Sequence, residues 1–159
     1  MSDKAEEIRQ YLLTSRATLL DCLNRLSEEQ WQTTVFSEDN QWTVTDILRH
    51  LAEAQRGMNG QIVQIQAGGS GVPEDFDLNR WNARGVRKAQ EKTPADLLAE
   101  LEQGQAQALA LLTTMQADDW DKKGRHGSGR ILSIAEIFQI IGGHEVNHAN
   151  DIRQALNLA

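Results

Sequence analysis

Apolar residues recur every three or four positions along four long stretches of this chain, the spacing that lines one face of an α-helix. The first stretch runs from about Asp3 to Leu26 and carries Ile8, Leu12, Leu19, Leu23 and Leu26 on one stripe. The second opens near Thr43, a residue suited to capping a helix, with Asp46 three residues on to favour the positive helix end. Its stripe is Val44, Ile47, Leu48, Leu51, Ala54, Met58, Ile62 and Ile65. Gly57 and Gly60 interrupt it and mark a bend or a close helix contact. Thr93 caps the third, with Pro94 at its first position, as helix starts prefer. Leu97, Leu98, Leu101, Gln105, Ala108, Leu112 and Met115 line its inner face. Ser133 caps the fourth, which continues to about Leu156 on a stripe of Ile134, Ile137, Phe138, Ile141, Ile152 and Leu156.

The segments between are polar or glycine-rich. Ser27-Glu28-Glu29-Gln30 caps a short turn, and a connector follows through Asn40. Gly68-Gly69-Ser70-Gly71 with Pro73 is a break. Residues Asp75 to Lys92 are helical in pattern and are expected to pack outside the main helices. Lys122 to Arg130 is a basic, glycine-rich loop. Neither an internal repeat nor a second domain is apparent. The pattern predicts one all-α domain over residues 1–159, a four-helix bundle with a short extra helix between the second and third long helices.

Composition narrows the partners. Good helix formers dominate, and Val, Phe and Tyr are too few for a large sheet. A net charge of −7 opposes general nucleic-acid binding. No apolar run approaches the ~20 residues of a membrane span, and the N-terminal residues lack an apolar signal core, so a cytoplasmic location is expected. Cys22 is the sole cysteine, which rules out an intrachain disulfide and a thiolate zinc site. A metal ion here has to be held by His, Asp or Glu.

That chemistry is present near the end of the fourth stretch, in His144-Glu145-Val146-Asn147-His148. Histidines at i and i+4 share a helix face about one turn apart and can close on one ion. His148 falls within the buried stripe, His144 on its edge, and Glu145 inside it. His50 stands on the flank of the second stretch. Three imidazoles plus water form an open catalytic site, and imidazole ligands suit Zn, Ni or Fe, and also Cu. Glu145 is then a candidate base acting on metal-bound water, the alternative being an inward carboxylate paired with an arginine. The bland reading of each histidine is a backbone hydrogen bond. The segment spells the H-E-x-x-H metalloprotease pattern, yet only eleven of the 159 residues follow His148 and no strand is evident to hold a peptide. Asp151 and Glu53 are each placed to orient a ligand imidazole or to form a surface ion pair. Trp31, Trp42, Trp81 and Trp120 are expected to close the bundle ends, with one a candidate pocket wall. His126 is expected to be solvated in its loop, and Cys22 to be a small core residue.

Three segments together resemble the DinB/YfiT-like superfamily over nearly the whole chain. Residues 42–52, Trp-Thr-Val-Thr-Asp-Ile-Leu-Arg-His-Leu-Ala, are similar to its second-helix motif, and His144 to Arg153 to its C-terminal motif. Phe76-Asp77-Leu78-Asn79-Arg80-Trp81-Asn82 is similar to its connector. The resemblance implies a bundle, often a homodimer, with a divalent metal on His50, His144 and His148. Relatives include thiol-dependent transferases using bacillithiol, mycothiol or glutathione, a mycothiol-dependent isomerase, and a colibactin-resistance branch that hydrolyses a cyclopropane. The expectation is a metal-dependent S-transferase of detoxification type, with a low-molecular-weight thiol and a small electrophile as partners and no nucleic acid or membrane. The alternatives are a metal-dependent hydrolase with Glu145 as base and a non-catalytic metal- or ligand-binding stress protein. The family does not fix the position of Glu145, so no role is inherited there.

Overall fold

The computed structural model describes residues 1–158. Its helices are α1 (Asp3–Leu23), α2 (Val44–Gln66), α3 (Leu78–Lys88), α4 (Pro94–Leu112) and α5 (Ile134–Leu156). The four long ones form the bundle: α1 packs on α5 and α4, and α2 packs on the same two, so α1 and α2 face each other across a diagonal. The extra helix α3 packs on α2.

Three of the starts are held by reciprocal caps. The Thr43 hydroxyl accepts from the Asp46 amide at 3.0 Å while the Asp46 carboxylate accepts from the Thr43 amide. Thr93 with Asp96 and Ser133 with Glu136 repeat the device. The ends differ from the periodicity. α1 stops at Leu23 and α4 at Leu112, yet Leu26 and Met115 still pack against the core from the turns that follow.

Two of the connectors are β-hairpins. Strands β1 (Thr34–Ser37) and β2 (Asn40–Thr43) pair antiparallel ahead of α2, and β3 (Lys123–Arg125) and β4 (Ile131–Ser133) ahead of α5. These hairpins correct the expectation that no repeat exists. In the first unit the amide of Val44 donates to Thr33, two residues after Trp31; in the second, Ile134 donates to Lys122, two residues after Trp120. Trp42-Thr43-Val44-Thr45-Asp46-Ile47-Leu48 then matches Leu132-Ser133-Ile134-Ala135-Glu136-Ile137-Phe138 position by position in role. The bundle is thus two helix–hairpin–helix units, with α3 inserted between them.

A polar layer divides the core. One apolar cluster gathers Ile8, Ile62 and Phe138, and the other Leu19, Leu48 and Ile152. Between them along their helices lie Arg16, Gln55 and Glu145, all at most 5% exposed. The Arg16 guanidinium donates to both Glu145 oxygens at 2.6–3.2 Å, to the Gln55 Oε1 at 2.7 Å and to the Leu101 carbonyl at 2.9 Å. Burial of such a pair is tolerable because nearly every polar atom is bonded. Close approach of α1 and α5 depends on Gly142, where a Cβ would sit 2.4 Å from the Tyr11 ring and 2.8 Å from the Ser15 hydroxyl.

Candidate metal centre and its cavity

α2 carries His50 and α5 carries His144 and His148, and their Nε2 atoms meet at one point. The His50 and His148 Nε2 atoms lie 3.0 and 3.1 Å from that of His144. Bare imidazole lone pairs repel at that distance, so a proton or a shared cation has to lie among them. Four donors around an ion with bonds of ~2.0–2.1 Å stand about 3.3 Å apart, close to the spacing found. The structure thus brings together the three histidines that the sequence singled out.

A fourth donor was not foreseen. Glu38 sits 2.7 Å from the His144 Nε2 through Oε1, 3.1 Å from that of His148, and 3.0 Å from that of His50 through Oε2. The ligand atoms of all four residues lie within 4.8 Å of one another, and together they could hold a metal ion. Glu38 gets there through its backbone. Ser37 pairs with Asn40, leaving Glu38 and Asp39 as a two-residue loop with φ of 48° and 60°. A tight hairpin loop needs this left-handed geometry, usually supplied by Asn-Gly; Glu-Asp lacks that signature, which is why the sequence did not announce the turn.

The environment sets the charges. Burial alone would raise the Glu38 carboxyl, but its side-chain contacts with His144, His148 and His50 outweigh it and hold the group well below the usual carboxylate range. Burial lowers His50 to about 4, against the opposing pull of Glu38, so its ring is neutral near pH 7. Trp42 packs against that ring with centroids 4.9 Å apart.

His148 is oriented from behind. The Ser37 hydroxyl donates to the Asp151 carboxylate at 2.5 Å and therefore accepts from the His148 Nδ1 at 2.8 Å. That places the ring proton on Nδ1 and leaves the Nε2 lone pair free to bind a cation. Asp151 thus acts on the ligand through Ser37. Glu53 instead pairs with Arg56, and Glu145 with Arg16, the arginine partnership being one of its two anticipated settings. Cys22 is fully buried with its thiol near the Ala149 carbonyl, and burial raises its pKa.

A cavity of about 660 Å³ opens against the cluster, reached by Glu38, His50 and His144. Its walls include Ala54, Met58, Phe76, Trp81 and Ile140, with Gln61, Asn82, His126 and Arg130 among the polar residues. Trp81 is the tryptophan that walls the pocket, admitted by Gly57, where a Cβ would meet its ring at 3.1 Å. Gly60 faces open space in the same cavity. His126 is half-buried there, contrary to the solvated setting expected, and its Nδ1 accepts from the Ser128 amide at 3.1 Å.

A family model described as the DinB superfamily matches residues 11–152. Solved structures share the fold. YfiT from Bacillus subtilis, described as a "probable metal-dependent hydrolase with an unusual four-helix bundle topology", aligns with a TM-score of 0.75 at 17% identity, over 100% of this chain and 91% of that one. The colibactin self-resistance protein ClbS, solved with double-stranded DNA, aligns at 0.77 and 15% identity over 98% and 96%. A mycothiol-dependent maleylpyruvate isomerase aligns at 0.76 and 15% identity, over 96% of this chain and 63% of that one. No curated protein matches the chain by sequence. Among the described residues no helix is long and apolar enough to cross a membrane.

Proposed function

From the premise that this chain belongs to the DinB superfamily, we propose that it is a metal-dependent enzyme of the thiol S-transferase type. The observation that carries this reading is the convergence of His50, His144 and His148 with Glu38 at the mouth of a partly apolar cavity. A divalent ion, Zn, Ni or Fe, held by the three imidazoles would supply a Lewis acid that lowers the pKa of a thiol beside it. The protein's own part is positional. Rigid helices fix the imidazoles, Ser37 fixes the tautomer of His148, and the cavity holds an electrophile in reach of the sulfur. The thiol would give up its proton to solvent, its sulfur would bond to the electrophilic carbon, and the leaving group would depart with the electron pair of the bond that breaks. Glu38 is the replaceable donor in this scheme. It lies on a loop and, unlike His148, faces the cavity.

Water in place of the thiol gives the hydrolase alternative. Glu145 would have to leave Arg16 to serve there as a base, so we assign it the role of holding the polar layer together. A second reading rests on Glu38 itself. A carboxylate in contact with all three histidines closes the fourth position, as a non-catalytic binding protein would have it. The net charge of −7 favours small-molecule partners over nucleic acid. A cytoplasmic homodimer belongs to the proposal on the strength of the resemblance alone.

The test is elemental analysis of the native protein and of single His→Ala variants, followed by cobalt substitution. Each of His50→Ala, His144→Ala and His148→Ala is expected to lose metal, while Glu145→Gln keeps it. Addition of a low-molecular-weight thiol to the cobalt protein should produce a sulfur-to-cobalt charge-transfer band. Metal content indifferent to the histidines would reject the site, and a spectrum indifferent to thiol would favour the closed, non-catalytic reading.

A further inference from the structure

His126 stands at the tip of the second hairpin and lines the cavity, yet the metal centre makes no use of it. Its loop holds the backbone firmly. The His126 amide donates to the Arg130 carbonyl at 2.9 Å, and the His126 carbonyl accepts from the Gly129 amide at 2.9 Å. Gly127 lets the loop lie on the neighbouring cavity walls, since a Cβ there would meet Leu78 at 3.1 Å and Phe76 at 3.3 Å. The ring is held as well. Its Nδ1 accepts from the Ser128 amide at 3.1 Å, and the Ser128 hydroxyl lies 2.9 Å from the same atom. A backbone amide can only donate, so Nδ1 keeps its lone pair, and the proton of the neutral ring is on Nε2. Burial lowers the pKa of the ring, and positive charge on His144 and Arg130 lowers it further, so the ring is neutral near pH 7. The Nε2 has no hydrogen-bond partner among the described residues, and unlike the Nδ1 of His50 it is not sealed from water. The cavity therefore holds one free N–H donor on a neutral, fixed imidazole, with Trp81, Phe76 and Met58 supplying apolar surface in the same space. Such a donor suits an oxygen that gains negative charge as a reaction proceeds.

We propose that His126 is a substrate-contacting residue of this centre, its Nε2–H donating to a carbonyl oxygen of the electrophile. When a thiolate sulfur bonds to the carbonyl carbon, or to a carbon conjugated with it, the π electron pair moves onto that oxygen. His126 keeps its proton and holds the charge through the hydrogen bond. The pair then re-forms the double bond as the leaving group departs, or the oxygen takes a proton from solvent. The assignment deepens the enzymatic reading, on which it rests, by naming a group that the electrophile carries and the residue that meets it.

The test uses the protein as purified and needs no turnover. Long-range NMR correlation of the imidazole nitrogens should place the His126 proton on Nε2 at neutral pH. The probe is acetophenone, isotope-labelled at its carbonyl carbon, and the control is α-methylstyrene, which has the same shape without the oxygen. The carbonyl resonance should move downfield in the native protein, as a hydrogen bond to that oxygen requires. His126→Asn keeps an acceptor where Nδ1 was and removes the Nε2–H, while His126→Gln keeps a donor near Nε2 and removes the acceptor. Acetophenone should bind His126→Asn about three- to tenfold more weakly than the native protein, the range for one lost hydrogen bond, and the carbonyl shift should vanish. His126→Gln should keep most of that shift, and α-methylstyrene should bind the native protein and both variants alike. The inference is overturned by a proton on Nδ1, by a native protein that leaves the carbonyl resonance unmoved, or by an equal shift in His126→Asn. If His126→Asn does not fold, the native Nε2 resonance decides, since it should respond to acetophenone and not to α-methylstyrene. Each of these results leaves the metal content and the thiol response, and so the enzymatic reading, standing. Loss of metal in the histidine variants without a thiol response would break that reading with the Nε2 measurements unaltered.

Discussion

In the hairpin that leads into α2, the strands close through Glu38 and Asp39, both left-handed. In the hairpin that leads into α5 they close through residues 126–130, where Gly129 alone carries a positive φ. The scaffold is the same, down to the carbonyls of Thr33 and Lys122 that receive the first amide of each following helix. The short, non-glycine loop aims one carboxylate into the histidine cluster. The longer loop reaches sideways instead. Arg125 forms a bridge to Gly71, its amide donating to the Ser70 carbonyl at 2.8 Å while its carbonyl accepts from Val72 at 2.9 Å. Gly71 has to be glycine there, since a Cβ would lie 2.3 Å from the Arg125 backbone. One tip therefore shapes the candidate metal centre and the other shapes the cavity wall. Two similar units thus differ chiefly in the length and charge of a turn.

The largest expected difference is in the response to pH of the histidines nearest each tip, His50 on α2 and His126 in the second loop. With metal removed, burial lowers His50 from 6.5 to about 4 in the folded chain. The unfolded chain takes up that proton below its ordinary value, so the neutral ring's contribution is complete above about pH 6.5 and is lost as pH falls toward 4. Glu38 adds a loss of the same sign at lower pH, because its carboxyl is held below its ordinary 4.5 and its stabilisation fades as the unfolded chain is protonated first. For His50 the effect is on the order of a few kcal/mol. His126, in the second tip, is also lowered by burial but is half-buried and contributes less. Thermal unfolding of the chelated protein between pH 7.5 and 4.5 should show a falling Tm, flattened in His50→Gln and retained in His126→Gln. An unchanged slope in His50→Gln would break the contrast.

Next in size is the hydroxyl behind His148. Ser37→Ala should lower metal affinity by about 10–100-fold, the usual effect of removing a group that orients a ligand imidazole. Ser128→Ala, at the other tip, should leave affinity unchanged. Competition with a chelator of known affinity measures both. Equal losses would mean that the serines act through general stability, and the contrast between the two loops would fail.

The parts of the molecule that repeat along one helix were legible in the sequence, and those that depend on two segments meeting were not. The stripes from Val44 to Ile65 and from Ile134 to Ile152 are one-dimensional signals, and the caps at Thr43, Thr93 and Ser133 are local ones. The i,i+4 pair His144 and His148 could be placed on one face for the same reason. Glu38 and Ser37 were missed because four-residue strands carry too little alternation to stand out, and because Glu-Asp is an unusual pair for a left-handed loop. The pairing that would have revealed the loop, Val35 with Trp42 across the strands, is a contact between residues seven apart. The setting of Glu145 needed Arg16, which is 129 residues away. The repeat was hidden because only its pattern of roles survives: Trp31 answers Trp120, and Thr43-Val44 answers Ser133-Ile134, while the tips differ in length and charge.

The smallest expected effect concerns the backbone of the two tips, where equivalent changes should have opposite signs. A non-glycine residue in the left-handed region costs roughly 1–2 kcal/mol, although acidic and amide side chains reduce this by bonding locally. Asp39→Gly releases that strain but frees the unfolded chain, so the net gain should stay below about 1 kcal/mol. It keeps the Glu38 side chain, so any loss of metal affinity in this variant reports the stiffness of the loop and not the ligand. At the second tip Gly129 has φ of 89° with open space around it, so Gly129→Ala meets no neighbour and is strained only by the left-handed backbone. It should destabilise by about 1 kcal/mol and leave metal binding unchanged. Denaturant unfolding of the two variants reads both signs. Destabilisation by Asp39→Gly would show that the first loop stores no strain, and the aim of Glu38 would then have to come from its side-chain bonds to the histidines and not from the turn.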